Sequence, residues 1–63
     1  MKLEIVKNFD NTYYCNLKGI NEYISLKELK EQLKRKYNIV IKSLKDDFTK
    51  TKLGRKTYYT NEI

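Results

Sequence analysis

The strongest constraint on the fold of this chain is a helix-start signal at residues 24–29. Ser25 can accept a hydrogen bond from the backbone N–H of Glu28, and the Glu28 carboxylate can reach back to the backbone N–H of Ser25. Ile24 can pack against Leu29 across the same turn. A capping box combined with a hydrophobic staple predicts that a helix begins at Leu26.

The residues that follow have the spacing of an amphipathic helix of about 26–37. Apolar side chains recur three or four positions apart, at Leu26, Leu29, Leu33 and Tyr37. The last turn holds the basic run 34–36, which complements the negative end of the helix dipole. Asn38 tolerates a left-handed backbone and is predicted to end the helix.

Two β-prone segments, 3–7 and 12–17, precede this helix. They flank the polar segment 8–11, whose Asp10-Asn11 pair suits a turn. The pattern predicts an N-terminal antiparallel hairpin in which Leu3 and Ile5 share one face and Tyr14 points to the other.

The segment after the helix has two readings. Ile39 to Leu44 is rich in β-branched residues and can form a short strand, with Asp46-Asp47 as a turn. Alternatively, Ser43 caps a short helix with Ile41, Leu44 and Phe48 along one side. The sequence leaves both open.

Both readings end in a basic C-terminal β-hairpin. Its strands are predicted at 48–52 and 56–60, because threonine and tyrosine favour strands, and Gly54 adopts positive φ at no steric cost in the turn. The sequence therefore predicts a single α+β domain over residues 1–63, with a well-capped helix between two hairpins.

Composition excludes several classes of chemistry. The 63 residues include no His, no Trp, no Pro and one Cys, so imidazole catalysis, Cys/His zinc sites and intramolecular disulfides are ruled out. Asp46 and Asp47 are the only adjacent carboxylates, and neighbouring side chains do not converge on one substrate atom. We expect no enzymatic activity and no cofactor.

The sequence also carries no membrane or export signal. No apolar run approaches the roughly 18 residues of a membrane span, and no apolar segment follows the first four residues. We therefore expect a cytoplasmic protein without a membrane partner.

Charge is unevenly distributed along the chain. Residues 1–26 contain three cations and three anions, whereas residues 27–63 contain eleven cations and five anions and hold the whole net charge of +6. A basic cluster surrounds Gly54 and lies beside Tyr58 and Tyr59. Clustered cations attract polyanions more strongly than dispersed ones.

On the short-helix reading, residues 25–63 resemble the small winged helix-turn-helix domains of phage excisionases and MerR-type regulators. The resemblance rests on Ser25-Leu26-Lys27-Glu28-Leu29 at the first helix and on the segment from Gly54 to Ile63 as the wing. It implies DNA binding, with the second helix in the major groove and the wing on the adjacent backbone or minor groove. By position, Lys42 and Lys45 would face the groove, and Arg55 and Lys56 would lie at the wing tip.

The sequence thus predicts a small nucleic-acid-binding protein, with DNA as the expected partner. The predicted contact residues are Lys42, Lys45, Lys50, Lys52, Arg55, Lys56 and Tyr58. The alternative is a small inhibitor or adaptor that docks on a larger protein through a hairpin edge, without catalysis. A homodimer also remains open, since a core this small supplies little stability on its own.

Overall fold

The computed structural model describes all 63 residues as a four-stranded antiparallel sheet with one main helix. The elements are β1 (Lys2–Lys7), β2 (Tyr13–Cys15), α1 (Leu26–Tyr37), α2 (Leu44–Asp47), β3 (Thr49–Leu53) and β4 (Lys56–Glu62). The α+β class predicted from the sequence is confirmed. No helix has the length and apolar character needed to cross a membrane.

The strand order is β2-β1-β4-β3, so the first and last strands of the chain are the two central ones. β1 pairs with β4 along its whole length, from Lys2 opposite Glu62 to Lys7 opposite Thr57. This pairing extends β4 two residues past the predicted end at Thr60. Both connections between paired neighbours, 8–12 and 54–55, therefore lie at the same end of the sheet.

β2 is shorter than the predicted strand over 12–17 because Asn16 leaves the regular ladder. Its side-chain Oδ1 accepts from the Glu4 backbone N–H at 2.9 Å, and its Nδ2 donates to the Lys2 carbonyl at 2.9 Å. These side-chain bonds satisfy backbone groups of β1 that a longer β2 would otherwise pair. The β2 edge is partly covered by a bridge between Tyr13 and Ile24.

α1 begins and ends where the sequence predicts. The Ser25 hydroxyl accepts from the Glu28 N–H at 3.2 Å, and Asn38 has φ of 57°. Lys36 donates to the Gly19 carbonyl and the Tyr37 hydroxyl donates to the Lys18 carbonyl. The end of α1 thus holds the 18–19 loop in place, and Lys36 serves this structural contact.

The core lies between α1 and one face of the sheet. Successive side chains of a strand point to opposite faces of the sheet. We call the face of β1 and β4 that points toward α1 the helix-facing side, and the other face the open side. The buried core consists of Leu3, Ile5, Tyr13, Leu29, Leu33, Ile41, Leu44 and Tyr59. Gln32 is also buried, and its side-chain oxygen accepts from the Asn21 N–H at 2.9 Å.

The segment 39–52 follows the short-helix reading, and the alternative strand over 39–44 is wrong. The Ser43 hydroxyl accepts from the Asp46 N–H at 3.3 Å and caps the single turn of α2. Ile41 and Leu44, three residues apart, are both buried in the core, which a strand alternating its faces would not allow. Packing of these two side chains overrides the β-propensity of the segment.

Candidate nucleic-acid interface

The end of the sheet that carries both turns is strongly basic. The segments 7–14 and 51–58 contain four cations and one carboxylate, Asp10. We call the four cations the basic tip: Lys7, Lys52, Arg55 and Lys56. Because β1 and β4 are paired, this surface combines residues from both ends of the chain.

Three strands bring two of these lysines to either side of Thr57. Lys7 on β1 is paired with Thr57 on β4, and Thr57 is paired with Lys52 on β3, so the three side chains form one row on the helix-facing side. Two strand spacings place the lysine Cα atoms about 10 Å apart. Side chains of this length can converge on an anion above the Thr57 hydroxyl.

A groove of about 350 Å³ runs over this row. Its lining is almost entirely polar and contains no carboxylate: Lys7, Asn8, Phe9, Asn11, Lys52, Gly54, Arg55 and Thr57. Convergent ammonium, guanidinium, amide and hydroxyl donors of this kind are typical of phosphate contacts.

Gly54 makes the tight turn that brings Arg55 to the end of the sheet. Its φ of 61° is in the left-handed region, where glycine has no steric cost. The Arg55 guanidinium carbon lies 5.6 Å from the centre of the Phe9 ring. Phe9 is 72% exposed, so the guanidinium and the aromatic ring form a joint exposed surface between the two turns.

Lys56 lies on the open side of the sheet and contacts Tyr14. Its Nζ donates to the Tyr14 Oη at 3.2 Å and lies 5.3 Å from the centre of the same ring. The hydrogen bond to Tyr14 raises the pKa of Lys56 above its ordinary value. Tyr14 in turn contacts Tyr23, with ring centres 6.3 Å apart.

Asp10 is engaged within its own turn. Its Oδ1 accepts from the Thr12 hydroxyl at 2.6 Å and from the Thr12 N–H at 3.1 Å. The hydrogen bond from the hydroxyl, followed by that from the backbone, lowers the pKa of Asp10. This carboxylate shapes the β1–β2 turn and forms no ion pair with the basic tip.

The basic surface is not neutralised by the acids of the chain. The only ion pair joins the N-terminal amine to Glu62 at 3.9 Å. Asp46, Asp47, Glu28 and Glu31 therefore bind none of the tip cations. No three Cys, Asp or Glu side chains lie close enough together to hold a metal ion.

The seven residues predicted from the sequence fall into three places. Lys50, Lys52 and Arg55 lie along the helix-facing side of β3 and its turn, while Lys56 and Tyr58 lie on or beside the open side. Lys42 and Lys45 lie beside and within α2, at the opposite end of the sheet. The structure therefore does not bring Lys42 and Lys45 together with the other five.

The sequence prediction did not include one cation of the basic tip, Lys7, or the two aromatic residues that contact the tip, Phe9 and Tyr14, because all three belong to the N-terminal segment with no net charge. Their proximity to Lys52, Arg55 and Lys56 depends on the long-range pairing of β1 with β4. A large aromatic residue in the polar turn 8–11 was the one local signal that could have indicated Phe9.

No protein-family model, curated protein or solved structure matches this chain. The geometry of these residues is therefore the observation that indicates the candidate interface.

Proposed function

We propose that this protein binds nucleic acid, with duplex DNA as the preferred ligand, through the basic tip. The supporting observation is that three cations, Lys7, Lys52 and Arg55, line a groove without a lining carboxylate, while Lys56 adds a fourth cation on the opposite side of the same hairpin. Each cation that neutralises a phosphate releases a counterion, which favours binding at low salt.

The arrangement of cations on the two sides of the β3–β4 hairpin indicates how the hairpin would lie on DNA. Lys52 lies on the helix-facing side, Lys56 on the open side and Arg55 at the turn between them. A two-stranded ribbon fits the major groove of B-DNA, which is about 12 Å wide. In such a complex Lys52 and Lys56 contact backbones on either side, and Arg55 reaches toward the base edges.

The hairpin is thus the wing-like element of the proposed interface. α2 has a single turn and carries Asp46 and Asp47, which phosphates would repel. We therefore assign the principal contacts to the hairpin and to the neighbouring 8–12 turn, and not to α2.

The test is fluorescence anisotropy with a labelled mixed-sequence DNA duplex between 50 and 200 mM NaCl. Four phosphate contacts predict a slope of about −3.6 in log affinity against log salt, or roughly a hundredfold loss over this range. The triple variant Lys52→Gln, Arg55→Gln, Lys56→Gln should bind with a much shallower slope of about −1.

The matched control removes the same charge at the other end of α1 from the tip. Lys18→Gln, Lys34→Gln, Arg35→Gln changes three exposed cations in the last turn of α1 and the loop that it contacts, so the salt slope should stay close to that of the unmodified protein. A salt-independent affinity, or an equal loss in both triple variants, would reject the proposed interface. Single-stranded DNA and RNA of the same sequence, measured in parallel, test the preference for duplex DNA.

A further inference from the structure

A second groove opens at the end of the sheet opposite the basic tip. It lies between the 39–41 loop, α2 and the end of β4, and its volume is about 400 Å³. Six of its nine lining residues are apolar: Leu3, Ile39, Val40, Ile41, Phe48 and Ile63. The floor is continuous with the core, because Leu3 and Ile41 are buried core residues.

The rim of this groove leaves apolar side chains in solvent. Val40 is 64% exposed and Ile63 is 50% exposed. Contiguous apolar surface with a polar rim is typical of a protein interaction site, whereas isolated exposed apolar residues are common everywhere.

The polar part of the rim is acidic. Asp46 and Asp47 line the groove and no cation does, and neither carboxylate forms an ion pair. Lys42 and Lys45 are near in sequence, yet they do not line the groove. The groove therefore combines an apolar floor with two unpaired carboxylates, although the whole chain carries +6.

We propose that this groove docks a basic amphipathic segment of a partner protein. An apolar side chain of the segment fills the groove, and an adjacent lysine or arginine pairs with Asp46 or Asp47. This inference goes beyond the proposed nucleic-acid function and does not depend on it.

Distance weakens the repulsion between such a segment and the basic tip. β4 has seven residues and spans roughly 23 Å at about 3.3 Å per residue. This is more than twice the Debye length of about 8 Å at physiological ionic strength. Attraction by the two carboxylates at the groove therefore outweighs repulsion by the distant basic tip. A basic segment at the groove and a nucleic acid at the tip can be bound at the same time.

A second copy of this chain is the less favourable occupant. Symmetric contact between two grooves would bring Asp46 and Asp47 of both copies together, and like charges at close range repel. A foreign segment with the opposite charge meets no such penalty.

The experiment uses the whole protein and two fluorescein-labelled peptides. One peptide has leucine at helical i, i+3, i+4 and i+7 positions with lysine between them, and the other has glutamate in place of each lysine. At 150 mM NaCl, anisotropy should show the lysine peptide binding roughly tenfold more tightly or better, equivalent to about 1.4 kcal/mol. Amide NMR shifts should change most at Val40, Asp46 and Ile63.

Two variants test the charge and the apolar rim of the groove separately. The double variant Asp46→Asn, Asp47→Asn removes the charge, and the single variant Val40→Ser removes an apolar side chain. Each variant should bind the lysine peptide several-fold more weakly than the unmodified protein does. Glu28→Gln, Glu31→Gln on α1 removes the same charge as the first variant and should leave affinity within about twofold, since exposed charges at this distance are screened.

Several outcomes would overturn the proposal. Equal binding of both peptides, unchanged affinity of the Asp46→Asn, Asp47→Asn variant, or shift changes centred on α1 each exclude the groove as a basic-segment site. Concentration-dependent sedimentation of the free protein that Val40→Ser abolishes would assign the groove to a second copy instead. None of these measurements contains nucleic acid, so their failure is separate from failure of DNA binding.

Discussion

Individual side chains of this protein divide between those that hold the fold and those that only face solvent. Phe9 belongs to the second group, since it is 72% exposed and its only described aromatic contact is with Arg55. Single exposed apolar side chains are common on protein surfaces, but this ring lies against Arg55 within the proposed interface and contributes little to the core. Phe9 is therefore a position at which an effect on nucleic-acid binding can be measured apart from an effect on folding stability.

Phe9→Ala should weaken nucleic-acid binding while leaving the fold intact. The bases of a duplex are already stacked on one another, so the ring would pack along the sugar-phosphate backbone, and its loss should weaken binding several-fold. Exposed substitutions change stability by about 0.5 kcal/mol or less. Anisotropy and urea denaturation on the same sample measure the two effects, and an unaltered affinity would remove Phe9 from the interface.

Two ionisable side chains in and beside the core predict a loss of stability at high pH. Burial, and secondarily the nearby Tyr59, raises the pKa of Tyr13, and burial raises the pKa of the Cys15 thiol. In the unfolded chain these groups lose their protons near their ordinary values of about 10 and 8.5. The folded state keeps its protons to higher pH, so stability is full below about pH 8 and falls above it.

Urea denaturation at pH 7, 9 and 10.5 measures this effect. The double variant Tyr13→Phe, Cys15→Ala cannot ionise at these positions and should lose less stability between pH 7 and 10.5 than the unmodified protein does. An identical decline in both proteins would assign the pH dependence to other groups.

At the scale of elements, α1 is specified locally and the sheet is not. The start and end of α1 follow from residues within a few positions of each terminus, so the helix was predictable from sequence. The pairing of β1 with β4 joins residues fifty to sixty positions apart, and no local pattern encodes that register. Lys7 was therefore not predicted as a contact residue, although Lys52 and Arg55 of the same tip were.

The structure of segment 39–44 could not be predicted from its own residues either. Three consecutive β-branched residues favour a strand, and only the burial of Ile41 and Leu44 against the core decides for the loop and α2. The resemblance to winged helix-turn-helix domains likewise placed Lys42 and Lys45 in one interface with the hairpin, yet the length of β3 separates these two lysines from the tip.

Removal of the α1 cap should destabilise the protein by about 1 kcal/mol. Ser25→Ala removes the acceptor for the Glu28 N–H and leaves a backbone donor at the helix start without its partner. Ser25→Asp retains an acceptor and should preserve stability. Urea denaturation compares the three proteins, and equal midpoints for all of them would show that the cap contributes nothing.

The whole molecule depends on a single small core. Leu29 and Leu33 on α1 and Leu3 and Ile5 on β1 are its fully buried side chains. A domain of this size without disulfide or metal has a stability of about 3–5 kcal/mol. The loss of stability caused by one large cavity in this core is therefore comparable with the entire free energy of unfolding.

Leu29→Ala should leave the protein largely unfolded at 37 °C. Truncation of a buried leucine costs about 2–5 kcal/mol. Circular dichroism should show loss of helix signal and of a cooperative thermal transition, whereas Leu53→Ala, at a 62% exposed position, should melt like the unmodified protein. A cooperative transition near the original temperature in Leu29→Ala would contradict the assigned core.

The central position of β1 and β4 has a consequence for biosynthesis. β1 is translated before the other strands of the sheet, yet its neighbour β4 is made only when residues 56–62 have been translated. Until then the nascent chain holds at most a two-stranded hairpin and α1, and such hairpins are marginal alone. The sheet therefore cannot be completed before residues 56–62 are translated, and a ribosome stalled before residue 56 presents an incompletely folded chain to proteases and chaperones.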